Sequence, residues 1–300
     1  MTSKENTTRG EEAWMTYKFI AVNIDGALLR SNSKLSKSTR QSMEYLTKKG
    51  VEIALVTSRP YLSAQKIAKS LKLEGYLIAH DGAYVSEVKK KKLMSRELPE
   101  QTVMEMMEAL ERYQCRIHLM YETHAVTSKE KQKNHLIAKM TLGATDQLYY
   151  PLTYVDSLYN YAMEEGQGPL TMQIQFESSI QRKQALDLLN EKTEDVRIKR
   201  IGKDRLSVVS AEVSKAKALQ WLCHRKGISN DELITIGAFE EDIEMMQMAG
   251  LGVAMGNAPK PLKDKADWIT RSVDEDGVSY MIHEVFRKQL RINLDRHSLK

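Results

Sequence analysis

The chain has 300 residues, enough for one large or two moderate domains with a sizeable buried core. Its formal net charge of +5 comes from interleaved acids and bases, too small an excess at this length to point to nucleic acid. No apolar run approaches the ~20 residues that span a bilayer, and two distant cysteines without a CxxC partner fit a reduced cytoplasm better than a disulfide framework.

Residues 1–16 are polar and mixed in charge, lack an apolar signal core, and read as a disordered extension. Residues 17–24 are an apolar run that stops abruptly at Asp25-Gly26. A buried parallel strand delivers side chains to the C-terminal edge of a sheet in this way. Ser36 or Ser38 caps a helix in which Met43 and Leu46 recur at helical spacing and which Gly50 closes. Residues 51–57 give a second strand ending in Ser58-Arg59-Pro60, 62–73 a helix stopped at Gly75, and 76–79 a third strand before the turn His80-Asp81-Gly82. This rhythm predicts a parallel sheet with right-handed crossovers.

After Tyr84 the rhythm breaks. Residues 85–94 read as a hairpin around a lysine turn. Residues 99–114 carry Val103, Met106, Met107 and Leu110 on one helical face, a stripe of core packing rather than a cofactor box. Strands are expected at 115–121, 170–176 and 196–201, with a helix at 180–191. From Leu206 the first rhythm resumes: strands at 206–209, 233–236, 252–255 and 268–270 alternate with helices at 214–226, 240–249, 259–266 and 277–289. The predicted fold class is α/β. A Rossmann-like parallel-sheet core, discontinuous over 17–84 and 201–290, is interrupted by an α+β cap domain at 85–200, and 291–300 form a tail. The basic runs at 89–92 and 287–291 read as a solvated turn and tail. Cys223-His224 has no second ligand pair and reads as helix packing.

Taken singly, the polar residues at these strand ends have two readings each. Asp25 before Gly26 is either a site carboxylate or a turn cap. Thr57 is a phosphate contact or a strand-end cap, Lys215 a phosphate contact or an exposed residue near a helix start, and Asn257 a pocket residue or a turn residue after Gly256. A carboxylate at position 23 would complete a two-aspartate phosphoryl-transfer pair with Asp25, but position 23 is asparagine.

Read in order, the segments resemble the haloacid dehalogenase-like superfamily, and within it the Cof-type phosphatases. Asn23-Ile24-Asp25-Gly26-Ala27-Leu28 stands where that family has Asp-x-Asp-Gly-Thr-Leu. Thr57-Ser58-Arg59-Pro60 stands for Thr-Gly-Arg-Pro, and Val213-Ser214-Lys215-Ala216 for Val-Ser-Lys-Gly. Gly237-Ala238-Phe239-Glu240-Glu241-Asp242 stands for Gly-Asp-x-x-Asn-Asp. Val253-Ala254-Met255-Gly256-Asn257-Ala258, Ala266-Asp267 and Asp276-Gly277-Val278 match the Cof-type pattern. The resemblance implies an aspartyl-phosphate mechanism: one aspartate attacks phosphorus, a second is acid and base, a hydroxyl and a lysine hold phosphate oxygens, and acidic residues anchor Mg²⁺. On this resemblance Asp25 matches the acid/base, Thr57, Lys215 and Asn257 the phosphate contacts, and Asp242 a metal anchor. Asn23 stands at the nucleophile position without a charged oxygen, Ala238 removes a metal ligand, and Glu241 is a substitute ligand of uncertain direction.

Two functional readings follow from that pattern. The first is a catalytically impaired phosphatase, or pseudoenzyme, that binds a small phosphorylated molecule, with Mg²⁺ weak or absent. The second is a working Mg²⁺-dependent phosphatase for small phosphometabolites, which needs Glu241 and a new nucleophile to fill the gaps. A purely structural partner protein is a third class, recognisable by an exposed apolar patch. Neither nucleic acid nor membrane is expected as a partner.

Overall fold

The computed structural model describes residues 17–89, 92–129 and 150–287. The expected extension at 1–16, the tail at 291–300, and Lys90 and Lys91 of the lysine turn lie outside the described residues. Strands β1 (Phe19–Asn23), β2 (Glu52–Val56), β3 (Tyr76–Ala79), β4 (Tyr84–Glu87) and β5 (Lys92–Ser95) come first. They are followed by β6 (Cys115–Met120), β7 (Ala125–Ser128), β8 (Leu152–Val155), β9 (Thr171–Phe176), β10 (Val196–Ile201) and β11 (Arg205–Ser210). The last three are β12 (Leu233–Gly237), β13 (Leu251–Ala254) and β14 (Trp268–Ile269). The helices are α1 (Lys37–Lys48), α2 (Tyr61–Ser70), α3 (Glu100–Leu110), α4 (Leu158–Glu165), α5 (Ser179–Lys192), α6 (Lys215–Lys226), α7 (Ile243–Gln247), α8 (Lys260–Lys263) and α9 (Gly277–Arg287).

The strands form two sheets, an eight-stranded one in the order β14-β13-β12-β1-β2-β3-β4-β5 and a six-stranded one in the order β10-β11-β9-β6-β7-β8. In the larger sheet, pairing is parallel from β14 through β3 and antiparallel in β4 and β5. Both its faces are covered, which is why its strands are continuous apolar runs. Ile20, Val22, Ile53, Leu55, Ile234 and Ile236 pack in a cluster with Met43 of α1 and Met281 and Ile282 of α9. The alternate residues Phe19, Ala21, Ala54 and Val56 pack with Leu219 and Leu222 of α6 and Met245 of α7. In the smaller sheet, Leu119, Met172, Ile174, Leu206 and Val208 meet the Val103, Met106 and Leu110 stripe of α3 together with Ala185 and Leu189 of α5. The methionine stripe is therefore core packing.

Two expected boundaries are corrected. The hairpin at 85–94 belongs to the larger sheet, not to the inserted block: Tyr84–Glu87 pairs along β3, in the register Tyr76↔Glu87 to Ala79↔Tyr84. The strand at 206–209 belongs to the smaller sheet, not to the parallel core, because β11 lies between β10 and β9. Alternation along a short strand gives its buried face and leaves its neighbours open. Strands β7 and β8 and helix α4 went unpredicted because they are short and flank a stretch without periodicity. The helix expected at 240–249 is a 3-10 turn at Glu240–Asp242 followed by α7. Among the described residues no helix is long and apolar enough to cross a membrane.

Candidate active site

Strands β1, β2 and β12 are neighbours, so their C-terminal ends share one edge of the sheet. Asn23 ends β1, Thr57 follows β2, and Gly237 ends β12. Beyond β1 the chain turns at Gly26, whose φ is +70°; a Cβ there would come within 2.9 Å of the Cβ of Ala238. Glycine at 26 and alanine at 238 therefore let two loops close on each other. Ser214 caps α6, accepting from the Lys217 N–H, and sets Lys215 as the first helical residue.

A lysine at a helix start is poorly placed for the helix dipole and needs carboxylates beside it. Lys215 has two: its buried Nζ donates to Asp242 Oδ1 and to Glu241 Oε1, each at 2.9 Å. Burial pulls the Lys215 pKa down, but Asp242, Glu241 and Asp81 together override this and hold it above the ordinary lysine value. The other Asp242 oxygen accepts from Asn23 Nδ2 at 2.6 Å and from the N–H groups of Ala238 at 2.9 Å and Phe239 at 3.1 Å. Four donors thus saturate one fully buried carboxylate.

Asp25 is held differently. Arg59 grips it with both arms, Nε to Oδ2 at 2.8 Å and Nη2 to Oδ1 at 2.7 Å. Thr57 Oγ1 accepts the Arg59 N–H at 3.1 Å, so this hydroxyl shapes the loop that carries the guanidinium. Asn257 bridges two loops, donating to Gly26 O at 2.9 Å and accepting from the Val273 N–H at 2.8 Å. Each end of the amide thus makes one bond to backbone.

Three residues that complete the cluster, Arg59, Asp81 and Lys199, were not among the sequence candidates. Asp81 lies in a turn where His80, Asp81 and Gly82 all have positive φ, at 51°, 59° and 102°. Gly82 is required there because a Cβ would stand 2.4 Å from Ser214 O. The turn thereby packs against the start of α6 and presents the buried Asp81 to Ser58 Oγ at 2.7 Å and to Lys199 Nζ of β10 at 2.6 Å. Burial pushes the Asp81 carboxyl up, but the charges of Lys199 and Lys215 with the two hydrogen bonds hold it below its usual range. Burial pulls the pKa of neighbouring His80 down to about 3 against the opposing pull of Asp81, and its neutral Nε2 accepts from the Tyr61 N–H. The same Ser58 hydroxyl lies 3.1 Å from Glu241 Oε1, so its single proton is shared between the two carboxylates. The result is a continuous chain, Lys199–Asp81–Ser58–Glu241–Lys215–Asp242–Asn23, from the smaller sheet to the end of β1. The loop signal for Arg59 and Asp81 was present in Ser58-Arg59-Pro60 and His80-Asp81-Gly82. Lys199 had none, being one of several basic residues on a strand.

A hard cation such as Mg²⁺ requires carboxylate oxygens free to face it. Here Asp25 faces a guanidinium, Asp242 and Glu241 face an ammonium, and position 238 offers a methyl group. Among the described residues no group of three or more acidic, histidine or cysteine side chains is arranged to hold a metal ion. The residues present do not fit a resident Mg²⁺.

A sequence profile of the haloacid dehalogenase-like hydrolases matches residues 20–282. The chain is 39% identical over 287 residues to the stress response protein YhaX of Bacillus subtilis strain 168, covering 95% of this chain and 99% of that one. It is 26% identical to the 5-amino-6-(5-phospho-D-ribitylamino)uracil phosphatase YcsE of the same organism, covering 88% of this chain and 94% of that one. In fold it is similar to a crystal structure of a haloacid dehalogenase-like hydrolase from Bacteroides thetaiotaomicron, with a TM-score of 0.79, 23% identity and coverage of 90% and 100%.

Proposed function

The chain belongs to the haloacid dehalogenase-like hydrolases, and from there we propose that it is a catalytically impaired Cof-type phosphatase. It binds a small phosphorylated molecule, hydrolyses it slowly or not at all, and holds Mg²⁺ weakly or not at all. One observation carries the reading: the side chain at the nucleophile position points an N–H at Asp242, 2.6 Å away. A carboxamide has no charged oxygen with which to attack phosphorus, and loss of a covalent-catalysis group costs on the order of 10⁴-fold or more. A carboxylate in the same place would stand against Asp242 and need a cation between them. The asparagine therefore suits a site balanced without a metal. Among the relatives, YhaX carries a stress-response name, and a binding role in a protein made under particular conditions is the form we propose here.

The test is a phosphatase assay on sugar phosphates, nucleotides and flavin phosphate, with and without Mg²⁺. Turnover is expected near background. Vigorous turnover by protein whose Asn23 is confirmed intact by mass spectrometry overturns the reading. Asn23→Asp alone should lower the melting temperature and make it rise again with added Mg²⁺, as two facing carboxylates recruit a cation. The pair Asn23→Asp with Ala238→Asp should raise activity above either single change, because both serve one step.

A second reading, a working Mg²⁺-dependent phosphatase, is favoured by the presence of Asp25 and Lys215 at one sheet edge. It requires Asp25 to leave Arg59 in order to donate a proton.

A further inference from the structure

We propose that Lys199, carried by the smaller sheet, is a ligand-contacting residue: an anionic group arriving at the site takes its ammonium from Asp81. The inference rests on the binding half of the reading above and adds the residue that does the recognising.

Among the described residues, three cations, Arg59, Lys199 and Lys215, face four carboxylates, Asp25, Asp81, Glu241 and Asp242. An incoming phosphate therefore meets an excess of negative charge and binds only by drawing a cation away from a carboxylate. The three cations differ in how firmly they are held. Arg59 is bidentate on Asp25, and Lys215 is shared between two carboxylates at 3% exposure. Lys199 is paired with one carboxylate, is 20% exposed, and sits on a flexible four-carbon stem. It is the cation that is cheapest to lend.

Asp81 can lose this partner without being stranded. It keeps the Ser58 hydroxyl at 2.7 Å and the field of Lys215. Its left-handed backbone, held by Gly82 against Ser214, keeps the carboxylate fixed while the lysine moves. The smaller sheet also aims Lys199 correctly. Leu206 and Val208 of β11 face the helices, so Ser207 faces the other way, and the register Lys199↔Ser207↔Gln173↔His118 forms a polar row on that opposite face. A small anion such as phosphate fits this arrangement at Lys199, since Ser207 and His118 farther along the row are buried.

Inorganic phosphate is the probe, titrated by calorimetry into the full chain at pH 7.5 without divalent metal, with sulfate as the ionic-strength control. Lys199→Met should weaken phosphate binding about tenfold or more, the scale of one charge-assisted hydrogen bond, and Lys199→Arg should restore part of it. Asp81→Asn should tighten phosphate binding several-fold, because it frees Lys199 and removes a competing charge. Asparagine accepts the same positive φ and can still accept from Ser58. A merely structural salt bridge predicts lower melting temperatures in both variants and no gain of affinity in Asp81→Asn. Wild-type affinity in folded Lys199→Met and Asp81→Asn overturns the inference and leaves the proposed function standing. Failure of both wild type and Asp81→Asn to bind phosphate overturns the inference and the binding half of that function together. Vigorous Mg²⁺-dependent turnover overturns the impaired-enzyme reading alone and leaves the Lys199 result to stand on its own.

Discussion

The two sheets handle charge in opposite ways. In the larger sheet helices cover both faces, β1 and β12 are buried along their whole length, and charge is confined to the strand ends. There each carboxylate is met by a cation or a row of N–H groups, because an unpaired charge inside a packed layer is too costly to keep. In the smaller sheet the helices cover one face. Strand β10 has no fully buried residue, carries Arg197, Lys199 and Arg200 among its apolar residues, and sends Lys199 across to a single carboxylate. Burial on both faces forces charge to a rim where it must balance itself, whereas a strand with no fully buried residue, such as β10, keeps charge that can be shared with a visitor.

The largest expected effect comes from breaking the balance at the rim. Asp242→Ala removes the acceptor of four donors and leaves the buried Lys215 ammonium with the partly exposed Glu241 as its remaining ion-pair partner, and should destabilise the protein by about 3–5 kcal/mol in urea unfolding. Asp25→Ala, whose carboxylate is more than a third exposed, should cost under about 1 kcal/mol. Equal losses would mean that the two carboxylates are not held in the different ways described.

Leu206→Ala is next, at about 2–4 kcal/mol for a leucine with no solvent exposure. It tests where the boundary between the sheets falls. Hydrogen exchange should quicken in β6, β9 and β10 and stay unchanged in β1, β2 and β12. Quickening in the parallel strands instead would return β11 to the core.

Counted per pH unit, the smallest effect is in pH, with one buried histidine beside each sheet. Burial pulls the pKa of His80 down to about 3 and that of His118 to about 4, from the ordinary 6.5. Below 6.5 the unfolded chain binds protons that the folded chain refuses, so stability falls as the pH drops from 6.5 toward 4, by at most about 1.4 kcal/mol per pH unit per histidine. The buried ion pairs of Asp81 and Lys215 do not compete in this window. Asp81, with its pKa lowered from 3.8, loses its contribution only below that value, and Lys215, raised from 10.5, only above that value. His80→Asn and His118→Asn should each remove about half of the acid slope. A slope unchanged in both variants would place the acid sensitivity elsewhere.

The parallel core was legible in the sequence because strands buried on both faces are written as unbroken apolar runs. Residues 17–24, 51–57, 76–79 and 233–236 each overlap a strand of the larger sheet. Asp25 and Asp242 were legible because they follow such runs, where a parallel sheet must put its ligands, and Lys215 because it stands in a segment that matches the family's pattern. Asn23 and Ala238 were legible by residue type alone as departures from the family's pattern. Only the tertiary structure decided how the rim is balanced. That Asn23 donates to Asp242, that Arg59 grips Asp25 and that Asn257 serves as a loop bridge depends on contacts between residues far apart in the chain. The placement of the hairpin at 84–95 and of β11 was equally out of reach, since a short strand's pattern specifies its faces and not its neighbours. Lys199 is the extreme case. Nothing in a run of basic and apolar residues distinguishes the one lysine whose ammonium meets a carboxylate 118 residues away.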